Sequence, residues 1–244
     1  MADVRPIKTN AEVALANIFA AAKPALKGAG EIAAARNAAF ESFSETGLPH
    51  RRIEAWKYTD LRTMMREAAP LALPPDAAAK AKARTAGGVF APFGFRRIVI
   101  VDGAFAADLS DLADLDAGLT IGSLADALAS GDPLVTSHLG KVMPATDPGL
   151  ALNTALMGDG VVIKVAAGAA VAKPIHLVFV TTSETPTAAF PRSLVVVEAG
   201  ASLSLMETYE GSDNSAYQVN TALELAVGDN ARVCLLYTSP SPRD

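Results

Sequence analysis

From position 161 onward the chain is punctuated at short, nearly even intervals. Six β-rich runs follow one another: VVIKV (161–165), IHLVFV (175–180), LVVV (194–197), SLSLM (202–206), ALELAV (222–227) and RVCLLY (232–237). Gly or Pro turns separate them, and no helix-length amphipathic stretch intervenes. The parallel strands of a doubly wound α/β fold need helical crossovers, so that class is disfavoured. Two turns share a frame: VAAGAAV (165–171) and VEAGASL (197–203) both read V-x-A-G-A-x-aliphatic, and AVGDNARV (226–233) is a looser third copy. The turn glycines fall at 168, 200 and 228, steps of 32 and then 28 residues. Strand, tight turn and strand at quasi-regular spacing predicts the stacked coils of a β-solenoid. An antiparallel sandwich also yields short strands and turns, and it stays open at this point.

The first third reads as helical instead. Val13, Leu15, Ile18 and Phe19 fit one face of an Ala-rich helix, and Ile32, Ala35, Ala39, Phe40 and Phe43 one face of the next. Gly47 and Pro49 supply a stop. Thr59 is placed to cap a further helix with Leu61, Met64 and Met65 inward. Positions 68–88 are Pro- and Ala-rich and read as a surface connection. RIVIVD (97–102) predicts a strand ending at Gly103. Ser110 and Ser123 are expected N-caps, with Gly131 and Pro133 closing the second short helix and a loop over 140–149. The strand-rich character is expected to begin at Asn153. The expected organisation is a helical region with its connection (1–90), a mixed α/β lead-in (91–150), the coils (151–237) and a non-native tail (238–244).

Bulk properties exclude several classes. The 244 residues are 50% hydrophobic and 19% charged, enough for one large domain or two modest ones. A net charge of −5 offers no footprint for a phosphate backbone. Cys234 is the only cysteine, which rules out an intrachain disulfide and a multi-thiolate metal site. The N-terminus lacks a signal-peptide layout, with Asp3, Glu12, Lys23 and Lys27 among its apolar residues, and no window of 18 uncharged apolar residues occurs. A soluble cytoplasmic protein is the expectation.

Residues with chemical potential are scattered. Gly28-Ala29-Gly30-Glu31-Ile32-Ala33 has the form G-x-G-x-x-A, but it follows a helix rather than a strand, so a turn between helices is the favoured reading. No phosphate-binding G-x-x-x-x-G-K-[ST] occurs. His50, His138 and His176 stand alone, without a His or Cys at helical spacing. His176 is out of phase with Ile175 and Leu177 and is read as a partly exposed strand residue. Cys234, between Val233 and Leu235, is read as core packing, with reactivity left open by Arg232 on the same face. Asp159, Glu198, Glu207, Glu210, Glu224 and Asp229 would suit glycan cleavage if stacking paired them; solvated faces and turns are the plainer reading. Residues 50–62 mix four cations with Trp56 and Tyr58. Such a mixture can stack bases, but more often it buries the aromatic rings while Arg and Lys reach solvent.

That segment also carries a likeness. Gly47-Leu48-Pro49-His50-Arg51-Arg52-Ile53-Glu54-Ala55-Trp56-Lys57-Tyr58-Thr59-Asp60-Leu61 resembles the N-terminal signature of the SufD branch of the SufB/SufD family. Val101-Asp102-Gly103-Ala104-Phe105, Leu152-Asn153-Thr154-Ala155-Leu156, Lys173-Pro174-Ile175-His176-Leu177, Pro191-Arg192-Ser193-Leu194 and Glu207-Thr208-Tyr209-Glu210-Gly211 are similar to further family elements, in the family's order. The W-K-Y-T element favours SufD over its paralogue SufB.

The resemblance implies a mainly β protein with an α-helical N-terminal region and a right-handed parallel β-helix, incomplete at its C-terminus. It implies a non-enzymatic scaffold subunit of an iron–sulfur cluster assembly complex, paired with a SufB-like partner through the β-helix and with a SufC-like ATPase through later helices. No cofactor belongs to this stretch, and no nucleic acid or membrane is a partner. The family's functional positions lie further on, so His176 and Cys234 inherit no role. A β-helix carbohydrate-active enzyme is the alternative.

Overall fold

A computed structural model describes residues 7–143, 146–213 and 215–237; the expected tail at 238–244 lies outside them. The strands are β1 (Arg96–Val101), β2 (Ala104–Phe105), β3 (Leu119–Ser123), β4 (Val161–Val165), β5 (Ile175–Thr181), β6 (Thr187–Ala189), β7 (Arg192–Val197), β8 (Ser202–Gly211), β9 (Tyr217–Val219), β10 (Ala222–Val227) and β11 (Arg232–Tyr237). They form a five-stranded sheet in the order β11-β8-β5-β1-β2, a four-stranded sheet in the order β10-β7-β4-β3, and a two-stranded sheet β6-β9. From β4 onward every pairing between these later strands is parallel, which removes the antiparallel sandwich. From β4 to β8 each strand pairs with the one three places later in the chain, so the backbone visits the sheets in a repeating order without helical crossovers, and β1 extends the five-stranded sheet by pairing parallel to β5. Antiparallel pairing is confined to β1–β2 and β3–β4.

The register sharpens the repeat. Val165, Val197 and Val227 are aligned across β4, β7 and β10. The left-handed residues that follow are Gly168 (φ 71°), Gly200 (φ 70°) and Asn230 (φ 56°). The third turn therefore uses Asn230 rather than Gly228, because Asn tolerates this region better than other side chains. Gly228 is needed for a different reason: a Cβ there would lie 2.6 Å from the Ala199 nitrogen.

Alternation divides each strand between two cores. Ile175, Leu177 and Phe179 of β5 join Ile163, Val195 and Leu205 in the space between the large sheets. On β1, β4 and β7 the other face is also covered, which is why runs such as VVIKV lack polar alternation. Full burial of one such side chain stabilises by roughly 1.5–3 kcal/mol. The covering elements are helices α1 (Asn10–Ala22), α2 (Glu31–Thr46), α3 (Leu61–Met64), α4 (Ala77–Ala83), α5 (Leu124–Ser130), α6 (Pro133–His138) and α7 (Pro148–Leu156). Leu124, Leu128 and Val135 cover Val162, Leu194 and Val196. Ala83, Ala106 and Leu109 cover Val99 and Val101. The helical region packs Leu15, Phe19 and Phe43 against Leu152, Leu156 and Phe190.

The architecture is mixed α/β, with parallel sheets and an N-terminal helical region, rather than mainly β. Several local expectations change with it. Val13 and Ala35 face solvent, and α2 instead buries Arg36. Its guanidinium donates to the carbonyls of Met157 (2.7 Å), Ala155 (3.3 Å) and Lys27 (2.9 Å), closing the C-terminal end of α7. Burial lowers the Arg36 pKa to about 10, so it stays charged at neutral pH. Asp60, not Thr59, caps α3 through the Thr63 N–H, and Met64 is exposed. Ser123 does cap α5, and Gly131 ends it. Pro133 opens α6 rather than closing α5, since its fixed φ suits a first helical position. Ser110 is no N-cap: it follows a short 3-10 turn at Ala107–Leu109, and its Oγ accepts from the Val99 N–H and donates to the Ala106 carbonyl. Asn153 lies inside α7, whose N-cap is Asp147, so the strand-rich stretch begins at Val161 rather than at Asn153.

Candidate functional site

Of the six acidic residues considered for paired chemistry, Asp159, Glu198, Glu207, Glu210 and Glu224 each have their own hydrogen-bond donors, and no donor serves two of them. Asp159 accepts from Ser123 Oγ and the Ala125 N–H at 2.9 Å, and from the Phe105 N–H at 2.9 Å, tying β2, β3 and α5 together. Glu198 pairs with Lys164 at 2.9 Å, and that ammonium lowers its pKa. Glu210 accepts from the Gly87 N–H at 2.7 Å. Asp229 is exposed on a turn. Glu207 is buried; burial raises its pKa, and its nearest donor is Tyr209 Oη at 3.3 Å. Among the described residues, no group of three or more His, Cys, Asp or Glu side chains could hold a metal ion. Without a shared donor, nothing among these contacts pairs two carboxylates for glycan chemistry.

Glu224 carries the largest surprise. It is fully buried and accepts from Arg192 Nε at 3.0 Å and from Arg192 Nη2. Its carboxylate also accepts from the Gly140 N–H at 2.8 Å, which holds the loop after α6 on β10. Arg192 Nη1 donates to Asn153 Oδ1 at 3.1 Å, and Asn153 Nδ2 donates to the Pro191 (3.1 Å) and Asn220 (2.7 Å) carbonyls. One buried polar network therefore joins α7, β7, β10 and the α6 loop. Neither Asn153 nor Arg192 shows this role in the sequence, where they stand 39 positions apart. The available signal was an arginine heading the apolar run Arg192–Val197.

His176 does face away from Ile175 and Leu177, but it is buried, not partly exposed. The segment 87–95 covers it, with Phe90 and Phe95 presenting ring edges at centroid distances of 5.4 and 6.0 Å. His176 Nε2 shares a hydrogen bond with Thr208 Oγ1 at 2.7 Å. Burial, with help from the Arg97 cation, lowers its pKa to about 4. Cys234 is exposed rather than core, because Val233 and Leu235 take the inward phase of β11. His50 Nδ1 accepts from the Arg52 N–H, and His138 Nδ1 lies 3.0 Å from the Leu134 carbonyl; neither joins a cluster. Gly28 and Gly30 form the turn between α1 and α2, with Gly30 as N-cap.

Residues 49–62 form a compact loop closed by the Arg62 N–H donating to the Pro49 carbonyl at 3.1 Å. Trp56 is half-buried and donates its indole N–H to Asp147 Oδ2 at 2.8 Å. Asp147 Oδ1 caps α7 through the Leu150 N–H, so the indole secures a helix terminus. Tyr58 is not buried with it: it is 90% exposed.

Residues 9–177 match the family described as SufBD protein N-terminal region, and residues 179–240 match the SUF system FeS cluster assembly SufBD core domain. The chain belongs to the SufB/SufD family. The boundary between the two SufB/SufD segments falls inside β5, so both contribute to one five-stranded sheet. The chain is also 30% identical over 210 residues to an iron–sulfur cluster assembly SufBD family protein of Synechocystis sp., covering 81% of this chain and 45% of that protein. It thus spans about half the length of the curated relative it matches. SufB/SufD membership indicates involvement in iron–sulfur cluster assembly. No helix among the described residues is long and apolar enough to cross a membrane.

Proposed function

We propose that this chain is part of a SufD-type scaffold subunit of a cytoplasmic SufBCD iron–sulfur assembly complex. The observation that carries the reading is the succession of both SufB/SufD family segments along one chain. The W-K-Y-T element at 56–59 supports SufD over SufB. The parallel ladders, each joining strands three places apart, support a reading of β4–β11 as the first coils of a right-handed parallel β-helix. In the longer protein that β-helix pairs with a SufB-like paralogue, and a SufC-like ATPase docks on later helices. The subunit supports iron acquisition and cluster assembly without catalysing a reaction or holding a cofactor in this stretch. The dispersal of the carboxylates supports a scaffold over a carbohydrate-active enzyme.

The test is affinity purification of the full-length parent from cells expressing SufB- and SufC-like proteins. Both are expected to co-elute in stable stoichiometry. Recovery of the parent with neither of them would overturn the proposal.

A further inference from the structure

The loop at 49–62 has internal duties that account for some of its residues and leave others over. Trp56 anchors it to Asp147 at 2.8 Å, the Arg62 N–H closes it at 3.1 Å, and Asp60 caps α3. Arg62 also reaches Glu12 at 3.9 Å. Arg51, Arg52 and Tyr58 are exposed, and among the described residues their side chains make no hydrogen bond or ion pair within the ordinary distance limits, although the Arg51 charge helps the Thr63 N–H hold the Asp60 carboxyl below its usual range. Tyr58 is 90% exposed, with the Lys57 ammonium 5.2 Å from its ring centre, and Met64 just beyond is 71% exposed.

Charge singles out the same stretch. The chain as a whole carries −5, but residues 50–66 hold five cations (Arg51, Arg52, Lys57, Arg62, Arg66) against Glu54 and Asp60. A locally positive, aromatic surface on an acidic protein is complementary to an acidic polypeptide, and Arg and Tyr are the side chains that carry most energy in protein interfaces. A pinned loop presents them with little ordering cost on binding. The cations are too few, and too mixed with carboxylates, for a nucleic-acid backbone, whose binding scales with the phosphates neutralised.

We propose that Arg51, Arg52 and Tyr58 form a docking surface for an acidic segment of a partner protein. The arginines take its carboxylates, and the tyrosine ring receives an apolar side chain. This surface is made by loop residues, not by the strand pairing invoked for the scaffold, so the two readings fail independently.

The test titrates the full chain into a fluorescein-labelled peptide of Asp and Glu with one central Leu, read by anisotropy. Saturable binding is expected, weakened about tenfold or more by Arg51→Glu/Arg52→Glu and severalfold by Tyr58→Ala. Lys141→Glu/Lys173→Glu makes the same change in net charge elsewhere and is expected to leave binding intact. The milder Arg51→Gln/Arg52→Gln serves if charge reversal perturbs the far-UV circular dichroism. Absence of binding, or equal weakening by the Lys141/Lys173 control, overturns the proposal. So does loop-dependent binding of a thymidine oligonucleotide or of phosphatidylserine vesicles without binding of the peptide.

Discussion

Glu224→Leu isolates the energetics of the network that joins α7 and the loop after α6 to β7 and β10. The carboxylate is 0% exposed and its partner Arg192 1% exposed. Removing it strips Arg192 of bonds from both Nε and Nη2 and leaves only Asn153 Oδ1 at 3.1 Å. An uncompensated buried charge of this kind costs about 3–5 kcal/mol, and the surviving Asn153 contact places the loss toward the lower end, about 3–4 kcal/mol. Gly140, whose N–H also loses its acceptor, is exposed and regains water, so it adds little. A loss of this size lowers the melting temperature by roughly 6–16 °C for a chain of this length. Urea denaturation followed by far-UV circular dichroism, fitted with a common m-value, measures it. Arg192→Leu/Glu224→Leu removes both charges and is expected to lose less than half as much as Glu224→Leu. A loss below about 1 kcal/mol in the single variant, or additive losses in the double, would refute the reasoning.

Other consequences are as direct. His176 has a pKa lowered to about 4, so protonation favours the unfolded chain. Its contribution is complete above about pH 6.5 and declines toward pH 4, by about 3 kcal/mol in all, whereas His176→Gln lacks this decline. Glu207, with a raised pKa, acts in the opposite sense, so the quantity to compare is the difference between the two proteins across pH. A parallel pH dependence in both would contradict the assignment. At Gly160 (φ 147°) an added methyl would overlap the Arg192 backbone, so Gly160→Ala is expected to prevent accumulation of folded protein, measured by soluble yield and circular dichroism. Asn230→Ala, at φ 56°, is expected to cost only about 1–2 kcal/mol in the same urea assay. Asp147→Ala removes both the indole acceptor and the α7 cap, so the emission of the single tryptophan shifts to longer wavelength with a loss of about 1–2 kcal/mol; an unchanged spectrum counts against that anchor.

The strands were legible because their runs are short, apolar and bounded by turns. Val161–Val165, Ile175–Thr181 and Ala222–Val227 need no tertiary information. Their parallel ladders were readable only through the spacing of Gly168 and Gly200, and the third turn misled because Asn230 does the work of a glycine. β6 and β9, three residues each, were missed, being too short for a period to show. Helix faces failed where a long polar side chain fills the interior: Arg36 occupies the place assigned to Ala35, closing backbone carbonyls from a distant helix. Exposure failed in the same way. His176 and Cys234 each occupy the strand face that periodicity assigns, but whether that face is covered depends on residues 87–95, far away in sequence. The scattered carboxylates show the limit most plainly, since only the fold reveals that Glu224 belongs with Arg192 and Glu210 with Gly87.

The most direct test of the central claim is the specific activity of an iron–sulfur dehydratase in cells lacking the full-length gene, measured under iron limitation. A severalfold loss of activity is expected at unchanged enzyme abundance, recovered when the extract is reconstituted with iron and sulfide or when the gene is restored. Full activity in the deletion strain, with no other member of the SufB/SufD family present to substitute, would contradict it.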